Sequence, residues 1–325
     1  MTRAAPGKSH RKGISVMDMA DMFATEADAE AWFEAVHWPN GEIACLRCGS
    51  EDAYRVKSGK PMPYRCRDCK RYFSLKTGTA MEDSKLPLRK WAWAIYLEMT
   101  SLKGVSSMKL HRDLGVTQKT EWFMLHRIRE AFADIAPIFE GPVEVDETYV
   151  GGKRKNMSNA KRKELKGSGT GPVGKAAVVG MKDRDTNHVV AQVIERVDRQ
   201  TLRGFVDAHA APDATLYTDD SSTYKGTGRS HEAVKHSAAE YVRYLETGEV
   251  VHTQGVESFW SMLKRAHIGV YHRLSTKHLQ RYVSIFAGRQ NVRDLDTIAQ
   301  MQAVVMGMVG RRLTYRALVG KTTRE

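Results

Sequence analysis

Residues 143–152 read VEVDETYVGG, and this stretch indicates the fold class of the second half of the chain. Val143 and Val145 alternate with Glu144 and Asp146, which is the period-two pattern of a β-strand with one apolar face. Two glycines follow and end the pattern. The stretch therefore predicts a strand that places a carboxylate, Asp146, on the face opposite its apolar side chains.

The segments after this strand alternate between strand and helix patterns in a fixed order. We predict strands at Ala176–Met181, His188–Val197, Ala214–Thr218 and His231–His236, a helix at about Gln200–Ala210, and a second helix from about Gly255. Three strands, a helix, a strand and a late helix are the element order of an RNase H-like fold. The sequence thus predicts an α/β catalytic domain with a mixed sheet flanked by helices.

Three carboxylates fall where this fold would gather them: Asp146 in the first strand, Asp219 at the end of the fourth, and Glu257 on the late helix. Magnesium is a hard cation that prefers oxygen ligands. Two such ions ~4 Å apart can hold the attacking and leaving oxygens of a phosphodiester. We therefore expect a catalytic site for two Mg²⁺ ions, in which Mn²⁺ can substitute, without a Ser or Cys nucleophile.

Each acid taken singly has an ordinary structural interpretation. Asp146 could be a solubilising residue at a strand edge, Asp219 a turn former, and Glu257 one half of a helical ion pair. Their combination in a basic protein with this element order favours the catalytic interpretation. Asp220 and Glu144 remain neighbouring alternatives for the second and first acids.

Lys264 lies seven residues after Glu257, within about 20° of the same face of a helix with 100° per residue. A cation there would contact phosphates that flank the reacting one, although a lone lysine is more often a solvated surface residue. Trp260, one turn earlier, is better interpreted as a core residue than as a platform for base stacking.

All four cysteines lie in the first quarter of the chain, at Cys45, Cys48, Cys66 and Cys69. Two C-x₂-C pairs separated by 17 residues match the spacing of zinc sites. Short tyrosine-containing strands between and after the pairs predict a zinc ribbon. Four thiolates leave no open position on the metal, so the zinc is expected to be structural. Two disulfides are the alternative, which cytosolic redox conditions disfavour.

Three helices are predicted between the ribbon and the first strand, at Leu88–Met99, Ser106–Leu114 and about Gln118–Phe132. The turn between the last two contains Gly115, which suits the corner of a helix-turn-helix. On that interpretation, residues of the third helix face a DNA groove: Gln118, Lys119, Glu121, His126 and Arg127. An ordinary three-helix packing unit is the alternative.

The chain has 325 residues and a formal net charge of +13, which favours a polyanionic partner such as nucleic acid. Positive charge is concentrated in a glycine-containing insertion at 153–175, which we interpret as a mobile loop that contacts DNA. The DNA-contacting residues expected there are Lys153, Arg154, Lys155, Lys161, Arg162 and Lys163. No segment has the apolar length of a membrane span, and the N-terminus lacks the apolar core of a secretory signal.

Five stretches resemble the insertion-sequence transposases of the ISXO-like group. They are VDETYVGGK (Val145–Lys153), YTDDSSTY (Tyr217–Tyr224), HTQGVESFWSMLKR (His252–Arg265), WPNGEIACLRCG (Trp38–Gly49) and YRCRDCKRYFSLKTGT (Tyr64–Thr79). The resemblance extends from roughly residue 20 to residue 293. It implies a DDE-type transposase in which Asp146, Asp219 and Glu257 are the metal-binding catalytic triad and Lys264 is a further catalytic residue. Lys264 and the neighbouring Arg265 are also expected to contact DNA.

The resemblance also implies a reaction and its partners. The enzyme would bind the terminal inverted repeats, cut at the element's ends, and join the freed 3′-hydroxyl to target DNA as a homo-oligomer. It would be a cytoplasmic, nucleoid-associated bacterial protein that does not act at a membrane. An RNase H-like nuclease without strand joining and a zinc-ribbon DNA-binding regulator are the alternatives; no Arg-His-Arg-Tyr constellation suggests a tyrosine recombinase.

We expect four regions along the chain: 15–80 with the N-terminal helix and ribbon, 85–138 with the helix-turn-helix, 142–293 with the catalytic domain, and 294–325 as a helical tail.

Overall fold

The structure is a computed structural model of the chain. It describes residues 12–133, 137–152, 154–165, 173–219, 222–224, 226, 228–235, 240, 242–246 and 248–320. The chain divides into two compact units: Met1–Ala133 together with Val292–Glu325, and Asp134–Asn291. We call them the N-terminal unit and, after the catalytic domain that the sequence predicts there, the catalytic unit. Neither contains a helix that is long and apolar enough to cross a membrane, among the residues described.

The described helices are, in chain order, α1 Val16–Met22, α2 Glu26–His37, α3 Leu88–Thr100, α4 Ser107–Leu114, α5 Gln118–Arg129, α6 Asn159–Glu164, α7 Arg199–His209, α8 Gln254–Ala266, α9 Thr276–Asn291, α10 Thr297–Gly307 and α11 Tyr315–Val319. The strands are β1 Ala53–Arg55, β2 Tyr64–Cys66, β3 Tyr72–Phe73, β4 Val143–Val150, β5 Ala176–Asp183, β6 Val189–Ile194, β7 Leu216–Asp219, β8 His231–Val234, β9 Arg243–Tyr244 and β10 Val250–Val251.

The N-terminal unit joins a small antiparallel sheet, β1-β2-β3, to a group of helices. Helix α2 begins with a capping box, in which Thr25 accepts from the amide of Asp28 and the Asp28 side chain accepts from the amide of Thr25. Helix α10 packs against α3 and α2, so the C-terminal helices belong to the same compact unit as the ribbon. Its buried residues are Thr297, Gln300, Met301, Val304 and Val305.

The catalytic unit is built on a five-stranded mixed sheet with the strand order β6-β5-β4-β7-β8. Strands β4, β5 and β6 are antiparallel neighbours, whereas β7 and β8 run parallel to β4. If the strands of this unit are numbered from β4 along the chain, their order across the sheet is 3-2-1-4-5. This order confirms the predicted RNase H-like mixed sheet. The bounds shift slightly: β5 extends two residues beyond the expected end, and β6 is shorter than the expected His188–Val197.

The two faces of this sheet have different coverings, because side chains alternate along each strand. Val143 and Val145 share a buried apolar cluster with Phe205 and Val206 of α7. Helix α8 contacts β4 and β5, where Glu144 and Asp146 bond to α8 residues. The acidic face of β4 therefore meets α8, and its apolar face meets α7.

The edge of the sheet at β6 is closed by side chains of α9. The amide of Val193 donates to Gln280 Oε1 at 2.7 Å, and the amide of Val189 donates to Asn291 Oδ1 at 2.7 Å. An edge strand whose amides are paired in this way offers fewer groups for association with another strand. Helix α9 thus completes the sheet on that side.

The basic insertion is not simply a loop, as its glycine content had suggested. Arg154–Asn156 form a 3₁₀ turn and Asn159–Glu164 form the short helix α6. Within α6, Arg162 Nη2 donates to Asn159 Oδ1 at 2.7 Å. Lys153 and residues 166–172 lie outside the described residues, and for Arg154 and Lys161 only the backbone is described.

Candidate active site and zinc ribbon

Strand pairing places Asp146 and Asp219 side by side in the sheet. In the parallel register of β4 and β7, Val143 pairs with Leu216 and Glu144 with Tyr217. Asp146 and Asp219 each lie two residues beyond the second pair, so they occupy equivalent positions on adjacent strands. Asp219 is the last residue of β7. The predicted first and second acids therefore lie on adjacent strands at the end of β7.

Glu257 lies in the first turn of α8, the helix that covers this face of the sheet. One turn further along, Trp260 Nε1 donates to Asp146 Oδ2 over 3.1 Å. Trp260 is 3 % exposed, which agrees with its interpretation as a core residue, but its hydrogen bond to Asp146 was not foreseen. The indole thus fixes the orientation of the first predicted acid and links it to the helix that carries the third.

Gly180 makes room for that indole. It pairs directly with Asp146 across β4 and β5. A Cβ atom at this position would lie 2.6 Å from the Trp260 ring, closer than any side chain tolerates. A glycine in the middle of a strand commonly marks such a close approach. The sequence signal was present in the run AAVVGM, although its purpose becomes clear only from the packing of α8.

The electrostatic environment of Asp146 favours a bound cation. The pKa of the Asp146 carboxyl is raised to about 6, chiefly by burial and also by the negative charges of Asp219 and Glu257, against opposing hydrogen bonds. A cation near a carboxylate reverses this effect by favouring the charged form. Carboxylate oxygens in such a group suit Mg²⁺, which prefers oxygen ligands.

The three carboxylates have not converged to direct ligand distance. Among the described residues, one group of three or more His, Cys, Asp or Glu side chains has its donor atoms within 4.8 Å of one another. That group consists of the four cysteines. Asp146, Asp219 and Glu257 interact over a longer range, as the pKa of Asp146 shows.

A cavity of about 450 Å³ opens beside these acids. Asp146 and Glu257 lie in its wall, and Lys264 and Arg265 of the same helix also line it. Lys264 and Arg265 are exposed, so the cavity combines acidic groups with an accessible basic rim. The other lining residues are Glu147, Thr148, Trp260, Ser261 and Ile268. The structure thus brings four of the predicted site residues to one cavity, with Asp219 on the adjacent strand.

The four cysteines form a compact cluster in the N-terminal unit. Cys45 Sγ lies 3.8 Å from Cys69 Sγ, and Cys48 Sγ lies 3.7 Å from Cys66 Sγ. A tetrahedron of thiolates at the usual Zn–S distance of ~2.3 Å has edges of about 3.8 Å, whereas a disulfide requires about 2.05 Å. The amide of Cys69 donates to Cys66 Sγ at 3.4 Å and lowers the pKa of that thiol to about 7. The geometry therefore fits one structural zinc ion.

Comparison with known proteins finds matches to the regions that contain these two sites. Residues 138–291 match the ISXO2-like transposase domain, and residues 24–72 match the transposase zinc-ribbon domain. The chain thus contains an ISXO2-like transposase domain and a transposase zinc-ribbon domain. It is also similar to an uncharacterized protein in transposable element ISH50 of Halobacterium salinarum, with 29 % identity over 280 residues, which cover 83 % of this chain and 92 % of that protein.

The transposase domain contains a further acidic residue that the sequence did not single out. Glu147 lines the same cavity as Asp146 and accepts a hydrogen bond from the Tyr224 hydroxyl. Burial raises the pKa of Glu147 to about 7, and burial also raises the pKa of Tyr224. Tyr224 lies in the YTDDSSTY stretch, so the motif contained this signal. The pair anchors the segment that follows β7 to β4.

The segment predicted as a helix-turn-helix, α4 and α5, has two of the expected DNA-contacting residues at its surface. Gln118 and Lys119 are exposed at the start of α5, and Gln118 Nε2 donates to Ser107 Oγ at 2.8 Å. Lys119 Nζ lies 4.7 Å from the centre of the Tyr315 ring, so part of its charge is directed at α11. Both remain accessible to a phosphate backbone.

The prediction that Glu121, His126 and Arg127 face a DNA groove is wrong. Glu121 and His126 are fully buried, and Arg127 is 8 % exposed. Arg127 Nε donates to the carbonyl of Leu313, and its guanidinium lies 4.1 Å from the Phe123 ring. Polar residue type had suggested a solvent-facing surface, but the tail that includes Leu313 covers this side of α5.

Proposed function

We propose that this transposase cuts the phosphodiester bonds at the ends of an insertion sequence and joins the freed 3′-hydroxyl to target DNA. One observation carries the proposal: Asp146, Glu257, Lys264 and Arg265 line a single cavity in the transposase domain. Acidic groups that hold divalent cations, next to basic groups that hold phosphate, are the two requirements of phosphodiester chemistry without a protein nucleophile.

Asp146, Asp219 and Glu257 would hold Mg²⁺, with Mn²⁺ as a substitute. When bound, the ions supply positive charge that activates the attacking oxygen and offsets the charge on the leaving oxygen. Asp146 is oriented for this role by the Trp260 indole, and Thr253 Oγ1 donates to Glu257 Oε1 at 3.2 Å. Both hydrogen bonds reduce the rotamer freedom of the carboxylates before DNA arrives.

Lys264 and Arg265 would bind the phosphates that flank the reacting one. Both are exposed on α8. Arg265 Nε donates to the carbonyl of Ser261 at 3.2 Å, which restrains the orientation of the guanidinium group. In the insertion, Lys155, Arg162 and Lys163 are exposed and add positive charge. Each neutralised phosphate releases counterions, so affinity should fall steeply as salt increases. Because two element ends must react, we propose that the protein acts as a homo-oligomer on DNA.

A strand-transfer assay tests this proposal. Full-length protein is incubated with labelled duplex that carries an element end, a supercoiled target, and Mg²⁺. We expect 3′-end nicks and joined products, and we expect Asp146→Asn to abolish both while it retains end binding. Nicks without joined products would indicate a nuclease, and equal activity of the variant and the parent would reject the triad.

A further inference from the structure

Glu144 is a buried carboxylate that bonds to the amino end of α8. It is 2 % exposed, and its Oε2 accepts from the amide of Val256 at 2.9 Å. Val256 belongs to the first turn of α8, where backbone amides have no partner within the helix. Thr253, the residue at the N-cap, makes no side-chain capping bond. A side chain from another element therefore does the capping of this helix.

Arg184 joins the same carboxylate to the segment that leads into α8. Its Nε donates to Glu144 Oε1 at 3.0 Å, while Nη1 and Nη2 donate to the carbonyls of Val250 and His252 at 2.5 and 2.6 Å. The guanidinium carbon also lies 3.8 Å from the centre of the Tyr217 ring. The planar, multidentate geometry of arginine allows one side chain to hold all of these groups at once.

These contacts involve residues that neighbour the three candidate catalytic acids along β4, β7 and α8. Glu144 precedes Asp146 by two residues on β4, and Tyr217 precedes Asp219 by two residues on β7, so each pair shares a sheet face. Glu144 and Tyr217 are themselves paired across the two strands. Val256 immediately precedes Glu257. The contacts of Glu144 and Arg184 therefore connect the two strands and the helix that carry the three acids.

Gly255 is required for this approach. A Cβ atom at this position would lie 2.7 Å from Glu144 Oε2 and 3.2 Å from Oε1. By contrast, a Cβ atom at Gly204, a glycine within α7 of the same unit, would meet no atom of the described residues within 4 Å. Alanine favours a helix over glycine, so alanine at either site should suit the helix itself. Only at 255 would it displace a carboxylate.

We propose that Glu144, Arg184 and Gly255 are positioning residues that set the distance of Glu257 from Asp146 and thereby the affinity of the site for divalent cations. The proposal rests on the proposed function of the acidic triad and adds to it the residues that hold the triad in place. Groups that orient metal ligands from behind typically change metal affinity or activity 10–100-fold when they are replaced.

The test compares Glu144→Gln and Gly255→Ala with Gly204→Ala as the matched control, all in full-length, zinc-loaded protein. Mn²⁺ binding is measured directly by electron paramagnetic resonance, with Asp146→Asn identifying the signal of the site. Cleavage of element-end DNA is measured as a function of Mn²⁺ concentration, and circular dichroism checks folding. We expect both variants to weaken Mn²⁺ binding about tenfold or more and to shift the cleavage midpoint equally.

Gly204→Ala should bind Mn²⁺ as the parent does. Parent-like Mn²⁺ binding by folded Glu144→Gln and Gly255→Ala would overturn the positioning role, and so would an equal loss in Gly204→Ala. If Gly255→Ala fails to fold, the nearly isosteric Glu144→Gln decides alone. If the parent binds Mn²⁺ but cuts no DNA, the proposed function fails while the binding comparison still decides the positioning role. Absence of an Asp146-dependent Mn²⁺ signal would overturn both.

Discussion

Replacing Glu121 with glutamine should stabilise the N-terminal unit at alkaline pH. The side chain is fully buried, and neither carboxylate oxygen has a hydrogen-bond partner among the residues that the structure describes. Burial raises the pKa of the Glu121 carboxyl from 4.5 to about 7, against the opposing charges of Lys90 and His111. An acid whose pKa is higher in the folded state binds more protons when folded, so it lowers stability as the pH rises between the two values.

The size of the effect follows from the two pKa values. The cost of ionisation is about 1.4 kcal/mol at pH 5.5 and about 3 kcal/mol at pH 8, and it levels off above pH 7. Glutamine resembles the protonated acid and avoids this cost at every pH. The stability advantage of Glu121→Gln over the parent should therefore grow by about 2 kcal/mol between pH 5.5 and pH 8.

Urea unfolding followed by tryptophan fluorescence measures this difference, because five of the six tryptophans belong to the N-terminal unit. Glu98→Gln is the informative contrast. Glu98 is equally buried, but it accepts from the amide of Val105 at 3.0 Å and pairs with Arg129 at 3.5 Å. Its replacement should destabilise the protein by about 3 kcal/mol, because a buried pair loses one partner. An advantage of Glu121→Gln that is independent of pH would refute the reasoning.

Three further predictions concern the metal sites and DNA binding. Gly180→Ala should destabilise the catalytic unit by about 1–3 kcal/mol in urea unfolding, because its Cβ overlaps the Trp260 ring; an unchanged midpoint would contradict that packing. Removal of zinc by a chelator, or Cys66→Ser, should unfold the ribbon, seen as loss of protection in hydrogen exchange over residues 45–72. The double variant Lys264→Gln, Arg265→Gln should make the negative slope of log affinity against log salt shallower by about 2, as measured by fluorescence anisotropy with duplex DNA. An unchanged slope would place the phosphate contacts elsewhere.

Much of the fold could be predicted because its signals are local. The alternation of β4, the glycine between α4 and α5 and the two C-x₂-C pairs are each contained within a few residues, and the structure has a strand, a helix end and a thiol cluster at those places. The mixed sheet flanked by helices could be predicted from the order of elements along the chain, since few topologies are available to such a pattern.

What the sequence did not reveal depends on contacts between distant segments. Glu121 and Arg127 are charged residues of the kind expected on a DNA-facing helix surface. Other elements of the N-terminal unit bury them instead. Glu144 was considered only as a neighbouring alternative to Asp146, because its partner Arg184 lies 40 residues away. The bond between Trp260 and Asp146 spans 114 residues. Side-chain type alone cannot report such pairings.

The most direct test of the central claim is a crystal structure of the full-length protein with Mn²⁺, in which anomalous scattering locates the ions. The account predicts anomalous peaks at oxygen-ligand distance from Asp146, Asp219 and Glu257, lost in crystals of Asp146→Asn. Peaks absent from these three carboxylates at saturating Mn²⁺, or peaks retained in the variant, would contradict it.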